Sequence, residues 1–201
     1  NTTLGTKATA EGIDTIASSN YAHAEGYKTT ASNQQAHAEG NSTTASGSGS
    51  HAEGCSTTAS SSYSHAEGNY SVASANYAHA EGNGTTASHE ASHAEGWGTK
   101  TGNAYQHVGG KFNVGKSTTA FEVGKGTNNN SRSNAFEVDW DGNATAAGDV
   151  TDGNGNTLSD IKISIDQLSI SKIGMSQIGM ANGVASLGND GKVPLSQLPP
   201  I

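Results

Sequence analysis

The tetrapeptide His-Ala-Glu-Gly occurs six times at an unvarying interval of 14 residues, starting at His23, His37, His51, His65, His79 and His93. Related segments keep the phase one interval earlier, at Thr9-Ala10-Glu11-Gly12, and one later, at His107-Val108-Gly109-Gly110. A register that never slips puts every copy in the same place of a stacked structure. Roughly the first half of the chain is therefore expected to be a solenoid. Such solenoids serve as scaffolds or adhesive surfaces far more often than as enzymes, and no catalytic activity is expected.

Composition alone would point elsewhere. Of 201 residues, 32% are hydrophobic and 5% aromatic, and 27 are glycine. That is too little apolar mass for a conventional core to offset the entropy of ordering the chain. A disordered chain, however, has no reason to hold a 14-residue register. Order is expected to come from backbone ladders between rungs and from neighbouring chains, which predicts an obligate oligomer. The net charge is -8 and Arg132 is the sole arginine, so there is no basic stripe for nucleic acid. No apolar run approaches the ~20 residues of a membrane helix, and no membrane insertion is expected. Asn1-Thr2-Thr3-Leu4 does not read as a signal peptide, and the chain reads as a piece of a longer protein. Cys55 is the single cysteine, which rules out an intrachain disulfide or a cysteine metal site.

One period, Tyr27 to Gly40, contains two short segments, Thr29-Thr30-Ala31-Ser32 and Ala36-His37-Ala38-Glu39-Gly40. Alternate side chains of a strand face opposite sides. In the second segment one face carries Ala or Ser, then Ala, then Gly in every copy, and the other carries His and Glu. In the first, Thr29 and Ala31 and their equivalents share the small face, while the position between them accepts Val72 and Lys100. Each rung thus reads as two strands, small residues inward, closed by two turns that hold the variable residues, such as Asn33-Gln34-Gln35 and Gly47-Ser48-Gly49.

Over residues 5–110 this pattern resembles the YadA-like head of trimeric autotransporter adhesins. The resemblance implies a left-handed parallel β-roll, with three chains side by side about a threefold axis. The His-Ala-Glu-Gly version with Thr-Thr-Ala-Ser is similar to copies found in phage tail fibres. One departure is that the residue before the glycine is Glu, where the adhesin repeat often has a bulky apolar side chain.

Seven histidines recur in phase (His23, His37, His51, His65, His79, His93 and His107), and His89 falls out of phase in a turn. The glutamates Glu25, Glu39, Glu53, Glu67, Glu81 and Glu95 share their face. Stacked about 5 Å apart, ionised glutamates would repel by about 1 to 3 kcal/mol per neighbouring pair. Splayed rotamers, water, hydrogen bonds or partly protonated histidines must offset this. Three readings are open: a structural ladder, a column of transition-metal sites on the histidines, and a pH-sensitive switch. The structural ladder is the leading one. No cofactor and no dedicated metal site is assigned from sequence.

Beyond residue 107 the period is expected to change. Phe112-Asn113-Val114-Gly115, Phe121-Glu122-Val123-Gly124 and Phe136-Glu137-Val138-Asp139 are related, and the copies beginning at Ala120 and Ala135 are 15 residues apart. Phe and Val on an inward face would need a wider interior, so residues 111–150 read as a β-rich neck or cap. Lys111, Lys116, Lys125 and Arg132 read as turn-exposed charges on that collar, and Asp141-Gly142 reads as a tight turn. After a linker at 151–156, Leu158, Ile161, Ile165, Leu168, Met175 and Ile178 fit heptad positions, with Lys172 in a skipped one. A short trimeric coiled coil is expected within 151–180. Residues 181–201, with Gly183-Val184-Ala185-Ser186-Leu187 and Gly191-Lys192-Val193-Pro194-Leu195-Ser196-Gln197-Leu198-Pro199, resemble a connector module of phage tail fibres and receptor-binding proteins. The run from Phe136 to Val150 is similarly at home in phage tail proteins.

Together these readings predict an all-β homotrimer: a left-handed parallel β-roll solenoid of 14-residue rungs over 1–110, then neck, coiled coil and connector. The resemblances imply a structural and adhesive part of a phage tail fibre on the virion, with tail or baseplate proteins and a host receptor, including a glycan, as partners. Tyr27, Tyr63, Tyr70, Tyr77 and Trp97 are the residues that would stack on sugar rings. The alternatives are the head of an adhesin on a bacterial surface, or the non-catalytic support of an enzymatic tail spike.

Overall fold

The computed structural model describes residues 1–151 and 157; the expected coiled coil and connector lie outside the described residues. One compact unit, Asn1–Ala147, carries everything that follows. It is all-β, and no helix occurs among the described residues, so none is long and apolar enough to cross a membrane.

Each 14-residue period folds as one coil with a five-residue strand and a two-residue strand. The long strands (Thr9–Ile13, His23–Tyr27, His37–Asn41, His51–Cys55, His65–Asn69, His79–Asn83, His93–Trp97 and His107–Lys111) stack in parallel. Their register joins equivalent residues, as in His65 with His79 and Glu67 with Glu81. The short strands, from Thr2–Thr3 to Thr86–Ala87, form a second parallel sheet of seven. Between the sheets lie the small residues: Ala or Ser before each histidine, the Ala after it, and the Thr and Ala of the short segment, all 0–1% exposed from Thr15 to Ala94. The interior is as thin as the sequence predicts, and each rung packs only on its neighbours.

Two corners per rung require a left-handed backbone. One is the residue after the long strand (Lys28, Ser42, Ser56 and Tyr70), and the other is the residue two before each histidine (Tyr21, Gln35, Tyr63 and Tyr77), with φ between 54° and 60°. Non-glycine residues tolerate this conformation at about 1 kcal/mol or more. Each corner N–H compensates by donating to the corner carbonyl one rung earlier, as from Ser42 to Tyr27 at 2.8 Å and from Tyr63 to Ser48 at 2.9 Å.

The repeat glycine has a different role from the one its spacing implies. Alternation puts it on the small inner face, yet it is exposed in nearly every rung. Its φ runs from +93° to +117° between Gly12 and Gly96, and a Cβ on Gly54 would sit 2.2 Å from the carbonyl oxygen of Gly68. Backbone geometry and rung-to-rung approach select it, not interior volume.

The parallel register also runs past residue 107, where the sequence predicts a change. Thr119–Lys125 adds a ninth long rung, with His107 opposite Phe121 and Lys111 opposite Lys125. The chain then turns back. Asn134–Asp139 pairs antiparallel with it, with two register shifts, and Ala144–Ala146 pairs antiparallel in turn. The 15-residue spacing of Ala120 and Ala135 thus reflects a fold-back rather than a further rung. Between the last two strands, Asp141-Gly142 makes the expected tight turn, with Gly142 at φ +86° and the Asp139 carboxylate accepting from the Asp141 and Asn143 amides.

The interior of this cap is also different from the expected apolar one. Phe121 and Val123 point away from it, and Glu122 occupies the inward position, 0% exposed, together with Gln106, Asn113 and Thr119. The Glu122 carboxylate accepts from Asn113 Nδ2 (2.6 Å), Gly115 N (2.9 Å), Lys116 N (2.7 Å), Thr119 Oγ1 (2.7 Å) and Gln106 Nε2 (3.5 Å). Burial by itself would raise its pKa, but the bonds from Thr119, Asn113, Lys116 and Gly115 outweigh that and hold it below the ordinary value. Two of the collar charges are likewise engaged. Lys116 pairs with Glu137 at 2.7 Å, and Arg132 reaches in to donate to the carbonyls of Gly98 and Asn113 at 2.8 and 3.0 Å.

Candidate functional site

The long strands bring the in-phase histidines and glutamates into two adjacent columns on the outer face of their sheet. Parallel pairing at a fixed register makes this unavoidable, because each side chain lies above its own copy. The imidazoles from His23 to His107 stack at centroid separations of 4.6–4.8 Å. The rings from His37 to His93 lie within 13° of parallel, and those at the two ends tilt. His89, out of phase, stands apart beside Ser88 and Thr101.

Four imidazoles lean towards the carboxylate of the rung before them. Nε2 to Oε1 distances are 3.4 Å for His51 and Glu39, 3.9 Å for His65 and Glu53, 3.6 Å for His93 and Glu81, and 3.4 Å for His107 and Glu95. His23 instead approaches Glu25 on its own strand at 3.3 Å. Only the His107 contact has hydrogen-bond geometry. The Nε2 atoms of His23, His37, His51, His65, His79 and His93 are sealed from solvent and have no hydrogen-bond partner, although the paired side chains are 31–44% exposed overall.

Protonation follows from this packing. Desolvation, then the neighbouring imidazoles, lower the pKa of His37, His65 and His79, so these rings are neutral near pH 7. Among the central glutamates the shifts alternate in direction. Hydrogen bonds with Glu53 and Glu81 push Glu67 up to about 7, and a bond with Glu53 raises Glu39. Bonds from the same partners lower Glu53 and Glu81. Glu67 is therefore partly protonated near pH 7, between neighbours whose ionised form is favoured. The proton on Glu67 eases the expected repulsion with Glu53 and Glu81, beside imidazoles whose charged form is disfavoured.

A groove of about 660 Å³ runs along Glu53, Glu67, Glu81 and Glu95 over a floor of repeat glycines. Three sets along the ladder bring one ligand atom per residue within 4.8 Å of one another: His37, Glu39 and His51; Glu53, His65 and Glu67; His79, Glu81 and His93. Sequence reasoning found the columns but not the groove, because it assigned the glycines to the interior.

The five aromatic candidates do not form one surface. Tyr63 and Tyr77, at the corner before the long strands, stack at 5.5 Å and 6° and are each 59% exposed. Tyr27, Tyr70 and Trp97 lie at the other corner, where Trp97 meets Phe112 at 5.3 Å. A second concavity of about 520 Å³ lies at the cap beside Trp140. Two of its carboxylates are already engaged, Glu137 by Lys116 and Asp139 by Asn143. Compared with known protein families, curated proteins and solved structures, the chain matches none.

Proposed function

We propose that this chain is a segment of a trimeric phage tail fibre that holds, or itself presents, a host-binding surface. The observation that carries the reading is the stack itself. Nine long strands repeat in unbroken parallel register from Thr9 to Lys125, around an interior whose buried side chains from Thr15 to Ala94 are all Ala, Ser and Thr. Such a body is a thin rod about 40 Å long at the usual strand spacing. It offers backbone ladders where a globular protein would have a core, and the half-exposed His/Glu face along its length gives neighbouring chains a surface to pack on. The reading assigns a mechanical and adhesive role and no reaction. It is further supported by the resemblance of residues 181–201 to tail-fibre connectors. The exposed aromatic corners are where a glycan receptor would stack.

The resemblance of the repeat to adhesin heads favours a second reading, the head of a trimeric adhesin on a bacterial surface. Antibodies against the purified roll separate the two in electron microscopy. Labelling of tail appendages on phage particles supports the fibre. Labelling of bacterial envelopes in phage-free culture supports the adhesin and overturns the fibre.

A further inference from the structure

We propose that the His/Glu ladder binds divalent transition-metal ions, with Glu53, His65 and Glu67 as the principal site. All three ligands come from one chain, on the face that the fibre reading gives to neighbouring chains, and the metal-binding test reads out independently of that reading.

Distance is the first argument. Two ligands about 2.1 Å from a tetrahedral ion lie about 3.4 Å from each other. The four rung-to-rung Nε2 to Oε1 separations are 3.4, 3.9, 3.6 and 3.4 Å. Direct charge-assisted hydrogen bonds are shorter, at about 2.7–2.9 Å. At the principal site His65 and Glu53 stand 3.9 Å apart, too far for a direct hydrogen bond, and the ligand atoms of Glu53, His65 and Glu67 lie within 4.8 Å of one another, near enough to close on an ion.

The second argument is the state of the nitrogens. Six successive Nε2 atoms, His65 among them, are sealed from solvent and lack a hydrogen-bond partner. Buried polar groups are nearly always partnered, and here the same deficit recurs at six of the seven in-phase histidines, all but His107. An ion between His65 and its two carboxylates supplies the missing partner there.

Ring geometry selects the rung. His51 and His65, and His65 and His79, are stacked within 5° of parallel. A metal must lie in the plane of the imidazole that binds it, so two parallel rings cannot converge on one ion. The sets with two histidines, His37/Glu39/His51 and His79/Glu81/His93, therefore need a ring to turn. The Glu53/His65/Glu67 set uses one ring and carboxylates from two consecutive rungs, and leaves the stack intact. The groove along Glu53 and Glu67 gives the ion a path to the two carboxylates and room for water as its remaining ligand. Mixed imidazole and carboxylate donors suit zinc, cobalt, nickel or copper rather than calcium or magnesium.

The test uses the full chain, free of any purification tag and stripped with chelator. Cobalt(II) is added and followed by its visible absorption, and zinc by calorimetry. The expected results are a tetrahedral or five-coordinate cobalt band and zinc binding at micromolar concentration or tighter. Glu67→Gln, which keeps the shape of the side chain, should weaken the tightest site at least tenfold, and His65→Gln should do the same. His89→Ala should leave binding unchanged. Circular dichroism confirms that each variant keeps its fold. Absence of a cobalt band together with only millimolar zinc binding overturns the proposal, as does unchanged binding by both Glu67→Gln and His65→Gln.

Discussion

Removing the Glu122 carboxylate is expected to open the cap of the solenoid while leaving the middle rungs in place. Of its five donors, three keep other acceptors. Asn113 Nδ2 also reaches the Lys100 carbonyl, Gln106 Nε2 the Lys116 and Thr119 carbonyls, and Thr119 Oγ1 the Lys116 carbonyl. Gly115 N and Lys116 N depend on Glu122. In Glu122→Ala these two amides are left without an acceptor, at about 1–3 kcal/mol each, for a total of about 4 kcal/mol. Because rungs interact with nearest neighbours, the loss falls on the cap. Hydrogen exchange at the Gly115 and Lys116 amides should accelerate by roughly 1000-fold, since about 1.4 kcal/mol corresponds to tenfold. Exchange at the His65 amide, bonded to the Ala78 carbonyl in mid-stack, should barely change. The pH dependence has a definite sign. The folded pKa lies below the ordinary value of 4.5, so the stabilisation is present above about pH 4.5 and is lost as pH falls through the folded value. Glu122→Gln, which keeps one acceptor, should cost about half as much and remove that acid-side slope. Unchanged exchange at both amides in Glu122→Ala would refute the reasoning.

Gly54→Ala should lower stability by about 3 kcal/mol or more, because φ +101° is unfavourable for alanine and the new Cβ meets the Gly68 carbonyl; a melting temperature within a degree of wild type would contradict this. The double variant His51→Ala, His65→Ala interrupts the imidazole stack and should melt several degrees lower, whereas an unchanged melting temperature would remove the stack from the account of stability. In chelator, the contribution of Glu67 to stability should decline as pH rises from about 4.5 to 7, against the opposite trend of His37, His65 and His79, whose lowered pKa favours the folded chain as pH rises towards 6.5. Glu67 keeps its proton up to about 7 in the folded chain, whereas it gives it up near 4.5 when unfolded. Glu67→Gln should abolish that decline and melt above wild type at pH 8.

Much of the fold could be read from the sequence because strand periodicity and rung periodicity are both strict. The alternation within Ala36-His37-Ala38-Glu39 fixed which side chains turn inward, and the 14-residue spacing fixed their columns. Glycine escaped that logic, since its position is set by φ and by the carbonyl of the next rung, neither of which leaves a trace in side-chain alternation. The cap was misjudged for a related reason. Phe121 and Val123 look like core residues, but at this register they continue the outward His and Glu columns, and Phe121 packs on His107 at 5.3 Å. Glu122 then inherits the inward alanine position. A carboxylate there is stable only because the Asn113–Thr119 turn supplies donors, which no local pattern announces. The ladder residues were all legible. Their protonation was not, because it depends on desolvated rings 4.7 Å apart and on carboxylates close enough to share protons.

The most direct test of the fibre account is the mass of the chain in solution at neutral pH, by light scattering coupled to size exclusion. The account predicts a single species of three times 20.2 kDa that persists on dilution. A folded species of 20.2 kDa would contradict it, since the roll would then be stable without neighbours and its His/Glu face would have no chain to meet.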